Sequence, residues 1–162
     1  MDMTVTYEGI LAKEESPLPK IPDFMLNKVA ALQASMAKLT QYEPPTKHLF
    51  HGGIYCRQVW RPAGCTIVGR VHKKEHFYMV VSGTVCVTTD DGVETITGPA
   101  LLCSKPGTKR AVHALTDALC MTFHATEATD VEKAGEELVE PDETSMFTLD
   151  NKLKNTELGV SL

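Results

Sequence analysis

The chain has no apolar run longer than four or five residues, and a bilayer span needs about twenty. Its start, Met1-Asp2-Met3-Thr4, has neither the basic residues nor the apolar stretch of a signal peptide. A cytoplasmic protein with no membrane partner is therefore expected. There is no C-x-x-C pair. The five cysteines, Cys56, Cys65, Cys86, Cys103 and Cys120, are odd in number and widely spaced. A fully paired disulfide scaffold is excluded, and free thiols in buried strands are the main expectation, with zinc or disulfide use as the lesser alternative. No stretch combines basic and aromatic residues, so nucleic acid is not an expected partner. No internal repeat is present.

What is there fits one domain with extensions: 162 residues, 43% of them hydrophobic. The net charge of −5 is unevenly spread. Residues 127–143 hold eight acidic side chains against one lysine, Lys133. Arg57, Arg61, Arg70, Lys73, Lys74, Lys105, Lys109 and Arg110 tip residues 47–125 the other way. A mildly basic core thus carries an acidic extension, which on its own reads as a solvated segment.

Three regions follow. In residues 1–47, Met25, Val29, Leu32, Met36 and Leu39 recur at steps of four, three, four and three, which puts them on one face of a helix. Asp23 is placed to cap it, and Pro44-Pro45 ends the segment. Residues 48–125 read as strands near 54–60, 77–81, 84–88, 93–97, 100–103, 110–115 and 118–124. They are divided by Arg61-Pro62-Ala63-Gly64, Ser82-Gly83, Asp90-Asp91-Gly92, Gly98-Pro99, Lys105-Pro106-Gly107 and Thr116-Asp117. Short strands at this spacing argue for a closed antiparallel barrel or sandwich. Residues 126–162 are polar, with a short helix expected near 131–139; they are too polar to form a core and need a surface to hold them.

Within the strand region, Gly64 is followed after five residues by Arg70-Val71-His72, after three by His76 and after six by Gly83. Downstream stand Gly98 and Lys105-Pro106-Gly107-Thr108-Lys109-Arg110. This spacing resembles the two sequence motifs of the cupin family, and the extended chain is similar in style to small phage-encoded cupins. The resemblance implies an all-β, cupin-type antiparallel barrel (a jelly roll) with a helical N-terminal extension and a polar C-terminal tail. In cupins the four matching positions hold a metal with three histidines and a glutamate. Here they read Arg70, His72, His76 and Arg110, and arginine offers donors only.

Two imidazoles are short of the usual three protein ligands, so no cofactor is expected at those positions. The same four side chains, with Tyr78 of like parity, instead suggest a site for a small anionic ligand, since guanidinium forks match carboxylate and phosphate oxygens. The first functional expectation is therefore an anion-binding barrel, with no catalytic residue assigned. An alternative is a metal-dependent cupin enzyme of dioxygenase, isomerase or lyase type, holding Fe, Mn or Zn. Its ligands would be His72, His76 or a bulge-shifted Glu75, and His113 brought in by a gap in the second motif. His48, His51 and His124 are taken as surface or hydrogen-bonded residues. A third possibility is a structural or assembly protein such as a virion component. Homo-oligomerisation, as a dimer or a larger assembly, is expected through the apolar helix face. The acidic tail, with Met146, Phe147 and Leu149 as apolar anchors, is expected to reach over the barrel mouth of its own or a neighbouring chain.

Overall fold

The structure, a computed structural model, describes residues 23–154. The elements run α1 (Asp23–Met36), β1 (Thr46–His51), β2 (Ile54–Arg61), β3 (Thr66–Val68), β4 (His76–Ser82), β5 (Thr84–Thr89), β6 (Gly92–Thr97), β7 (Ala100–Ser104), β8 (Ala111–Ala114), β9 (Ala118–Ala125) and α2 (Val131–Leu138). A five-stranded sheet, β1-β2-β9-β4-β7, faces a four-stranded one, β3-β8-β5-β6, and every strand pair is antiparallel. No helix among the described residues is long and apolar enough to cross a membrane.

All seven strands expected from the sequence are present, and two more join them. β1 is an edge strand whose alternate side chains face water, so its Lys-His-Leu-Phe-His text lacks a strong β signal. It opens at Thr46, and Thr46 and Lys47 thus belong to the sheet rather than to the extension. β3 spans three residues, too few to show a period. The Asp90-Asp91 pair makes a two-residue hairpin, closed by the Thr89↔Gly92 partners.

The packed core lies between the sheets. Tyr78, Val80, Val85, Val87, Val112, Ala114, Ala118 and Cys120 form it, with Ile96 and Leu102 against its edge. All five cysteines are free. A second, smaller cluster joins Tyr55 of β2 to Ala134 and Leu138 of α2. Asp130 caps α2 by accepting from the Lys133 amide at 2.9 Å.

Asp23 is the first residue of α1 rather than its cap, and Leu39 falls in the turn beyond the helix. Along the expected apolar stripe, Val29 is buried and Met36 half-buried, while Leu32 and Leu39 are exposed. Exposed apolar side chains also crowd the outer face of the five-stranded sheet, at Leu49, Ile54, Trp60, Phe77 and Leu101. Met25 has no side-chain description, and residues 1–22 and 155–162 lie outside the described ones.

The acidic extension folds back onto its own barrel. Lys73 donates its amide to the Leu138 carbonyl at 2.8 Å, and Glu140 donates to Val71 at 2.8 Å. Lys109 and Asp142 form a largely buried ion pair at 3.0 Å. Burial opposes ionisation of Asp142, yet hydrogen bonds from Thr144 and Lys109 hold its carboxyl well below the usual carboxylate range. Further on, Asn151 donates to the Thr46 hydroxyl at 2.7 Å. Two of the tail's acids thus meet lysines of the barrel, Glu137 with Lys74 and Asp142 with Lys109, while Met146, Phe147 and Leu149 line a cavity.

Candidate functional site

Strand alternation aims every second side chain of the five-stranded sheet inward. Across β2, β9 and β4 these side chains form rungs. The Tyr55↔His124 partners make the first, with His76 one residue before the Phe77↔Phe123 pair. Arg57↔Thr122↔Tyr78 make the second, and Val59↔Cys120↔Val80 the third. The first two rungs are polar and the third is apolar, so the chemistry sits toward one end of the barrel. Arg61, partnered with Ala118 at the end of β2, also turns inward and is only 4% exposed.

His72 completes the first rung from outside the sheet. It lies in the loop before β4, where its amide donates to Thr108 at 3.0 Å and its carbonyl accepts from Gly107 at 2.7 Å. A β-bridge to Val139 of the C-terminal extension holds the other side. The rings of His72 and His76 are 4.1 Å apart, those of His76 and His124 4.5 Å, and those of His72 and His124 5.4 Å. The ligand nitrogens of all three fall within 4.8 Å of one another.

Burial is the main reason these imidazoles stay neutral. It drives His72 from 6.5 to about 3, assisted by the neighbouring His76 and His124, and His124 from 6.5 to about 3, assisted by His76 and Arg57. His76 is lowered by the same desolvation, with Arg110 adding to it. The His76 Nδ1–H donates to the Lys74 carbonyl at 3.3 Å, leaving Nε2 as the lone-pair nitrogen. His124 Nδ1 has no hydrogen-bond partner among the described residues. Three neutral imidazoles with converging nitrogens are the form a transition metal takes.

A pH dependence follows. Between pH 6.5 and 3 the unfolded chain holds protons on His72 and His124 that the folded chain refuses, so stability rises with pH through that window and is complete above it. For chelator-treated protein, the urea midpoint is expected to fall steadily from pH 7 to pH 4. His124→Gln should flatten the slope. A midpoint constant over that range would show that the rings are not buried neutral.

The sequence-derived residues divide. His72, His76, Tyr78, Arg70 and Arg110 all line one cavity of about 500 Å³. Neither arginine is free in it, however. Arg70 Nη2 donates to the Phe147 carbonyl at 3.0 Å. Arg110 donates from Nε and Nη2 to the Ser104 hydroxyl at 3.2 and 3.1 Å, and from Nη1 to the Thr88 carbonyl at 2.9 Å.

The alternative third ligand is corrected. His113 faces away from the lumen and shares a 2.7 Å hydrogen bond with the Thr66 hydroxyl, because no gap shifts the register of β8. Glu75 is exposed and no bulge turns it in. The third histidine is His124. Its signal was its parity with Ala118 and Cys120, two small residues suited to a buried face; a lone histidine near a strand end does not show this by itself. His48 shares its Nδ1 with the Tyr55 hydroxyl at 2.7 Å, and His51 is exposed.

Arg57, Arg61 and Thr122 are the other lumen residues the motif reading passed over. Desolvation lowers the Arg57 pKa, with the nearby arginines adding to it. Arg61 Nε and Nη1 and the Thr122 hydroxyl are buried with no hydrogen-bond partner among the described residues. Among the described residues, no aspartate or glutamate lines the cavity, and no arginine forms a salt bridge.

No protein-family model matches the chain, and no curated protein is significantly similar to it. Solved structures are similar at low identity. A cupin superfamily protein from Desulfitobacterium hafniense is 11% identical with a TM-score of 0.47, the match covering 58% of this chain and 87% of that one. A cupin from Shewanella frigidimarina is 16% identical with a TM-score of 0.47, covering 57% and 84%. An acetylacetone dioxygenase from Acinetobacter johnsonii is 14% identical with a TM-score of 0.43, covering 49% of this chain and 58% of that one. By its two facing antiparallel sheets and their strand order, the barrel of this chain has the cupin-type fold.

Proposed function

We propose that this protein binds a small anionic molecule in the lumen of its barrel. The observation that carries the reading is the pair Arg57 and Arg61. Both are desolvated in a cavity that has no carboxylate among the described residues, which also leave Arg61 with unpartnered donors. A buried, uncompensated guanidinium costs several kcal/mol, a cost that an anionic ligand removes. Convergent buried donors also weigh against a purely structural or virion-assembly role, which needs none.

The test sets stability against binding. Arg61→Met keeps the side-chain volume and removes the charge. It is expected to stabilise the unliganded protein by about 1–3 kcal/mol, a rise of several degrees in Tm for a chain of this size. The same change should abolish the thermal shift that carboxylates or phosphate give the wild type. A fall in Tm, with anion response intact, would show that Arg61 is an ordinary structural residue.

A second reading is favoured by the histidine cluster. The cupin positions occupied by Arg70 and Arg110 do not suit a metal, but His72, His76 and His124 do, and they remove the shortage of ligands that argued against one. On this reading they hold a divalent transition metal, with Fe, Mn and Zn as the candidates. The metal would supply a Lewis-acidic centre beside the arginine pair. The two readings are compatible, because an anion held by Arg57 and Arg61 lies in the same cavity as the imidazoles.

A further inference from the structure

The walls of the cavity change character from floor to mouth. Arg57, Thr122 and Tyr78 make one polar rung across three strands, with Arg61 beyond it. The remaining two arginines are committed elsewhere, Arg70 to the Phe147 carbonyl and Arg110 to Ser104 and Thr88. Charge recognition is thus confined to a compact patch. Another wall is built by the chain's two extensions, where the apolar Met36, Tyr42, Met146, Phe147 and Leu149 line the space together with polar, uncharged side chains such as Gln33 and Thr144. Among the described residues neither extension brings a charged side chain to it; Glu137 and Asp142 of the C-terminal segment pair with Lys74 and Lys109 instead.

We infer that the ligand is an organic acid with a compact anionic end and an apolar body, an aromatic or branched aliphatic carboxylate. This rests on the anion reading above and narrows it. A cavity of about 500 Å³ is within the range of small-molecule sites. Inorganic phosphate would satisfy the guanidiniums but leave the apolar wall wet. An apolar body covers that wall and gains by removing it from water.

The experiment is calorimetric titration of the full-length protein with benzoate, isovalerate, acetate and inorganic phosphate, and with benzyl alcohol as a neutral aromatic. Benzoate or isovalerate is expected to bind at least tenfold more tightly than acetate or phosphate, and benzyl alcohol not to bind. Arg61→Gln should weaken every anion at least tenfold. Phe147→Ser should weaken benzoate at least fivefold and leave acetate and phosphate unchanged; Met146→Thr serves if Phe147→Ser does not fold by thermal melting. Phosphate binding as tightly as benzoate, still lost in Arg61→Gln, would overturn the apolar-acid inference while leaving the anion reading standing. No anion binding in wild type, or binding indifferent to Arg61→Gln, would overturn both.

Discussion

His124→Ala is expected to reduce cobalt(II) or zinc(II) binding by at least a hundredfold, to the level of a two-histidine site. His72→Ala should do the same, and His113→Ala should change nothing, since its imidazole is bonded to Thr66 on the other side of the strand. Each lost ligand leaves the ion with two imidazoles from this cluster, short of the three that protein sites for transition metals ordinarily use. Arg110→Gln is the informative control. The cupin-like spacing would make position 110 a ligand site, whereas the structure gives Arg110 to Ser104 and Thr88. Its replacement should therefore leave metal affinity within a fewfold of wild type. Titration of chelator-stripped protein, read by the d–d absorption of bound cobalt, checks all four variants. Stoichiometric metal retained by His124→Ala would remove His124 from the site, and absence of metal from the wild type would remove the site itself.

Gly83→Ala is expected to cost several kcal/mol of stability, and Gly64→Ala about 1 kcal/mol. Both glycines belong to the cupin-like spacing, and both sit at nearly the same positive φ, +83° and +84°. The intrinsic penalty for a side chain there is about 1–2 kcal/mol at each. The surroundings differ. A Cβ at Gly64 meets nothing within 4 Å, whereas at Gly83 it would stand 2.2 Å from the Asp117 carbonyl oxygen and 2.8 Å from the Ala118 Cβ. The extra loss at Gly83 is therefore steric, and it falls where the β4–β5 turn packs on the start of β9. Chemical denaturation of the two variants separates the contributions. Equal losses would mean that the turn moves freely away from β9.

The barrel was legible because its strands are short, apolar and punctuated by glycine and proline. The site was legible only in part. Motif spacing singled out Arg70, His72, His76 and Arg110, and strand parity added Tyr78; all five line one cavity, since a motif read along the chain registers residues that are close in sequence. His124 joins them from a strand some fifty residues on, through the β4–β9 pairing, which no local pattern records. Arg57 and Arg61 share parity with Tyr55 and Val59 on β2, so alternation placed them inward; the habit of assigning arginines to the surface hid it. The roles of Arg70 and Arg110 depended on partners from the tail and from β5 and β7, again beyond the reach of spacing. The stripe expected on α1 is realised only in part, since Val29 is buried but Leu32 is exposed and Leu39 lies beyond the helix; periodicity does not say what covers a face.

For the proposed ligand, the wall formed by residues 145–151 makes binding and local folding a single equilibrium. A ligand touching Phe147 and Leu149 binds only the state in which that segment is docked. Its apparent affinity is its intrinsic affinity scaled by the docked fraction. The segment is held along its length by the Lys109–Asp142, Gln33–Thr144, Arg70–Phe147, His48–Asp150, Asn151–Thr46 and Lys152–Glu43 contacts. On the proposed reading, occupancy of the lumen is expected to slow amide exchange along residues 139–154, and the described tail residues set affinity without contributing a charge to the site.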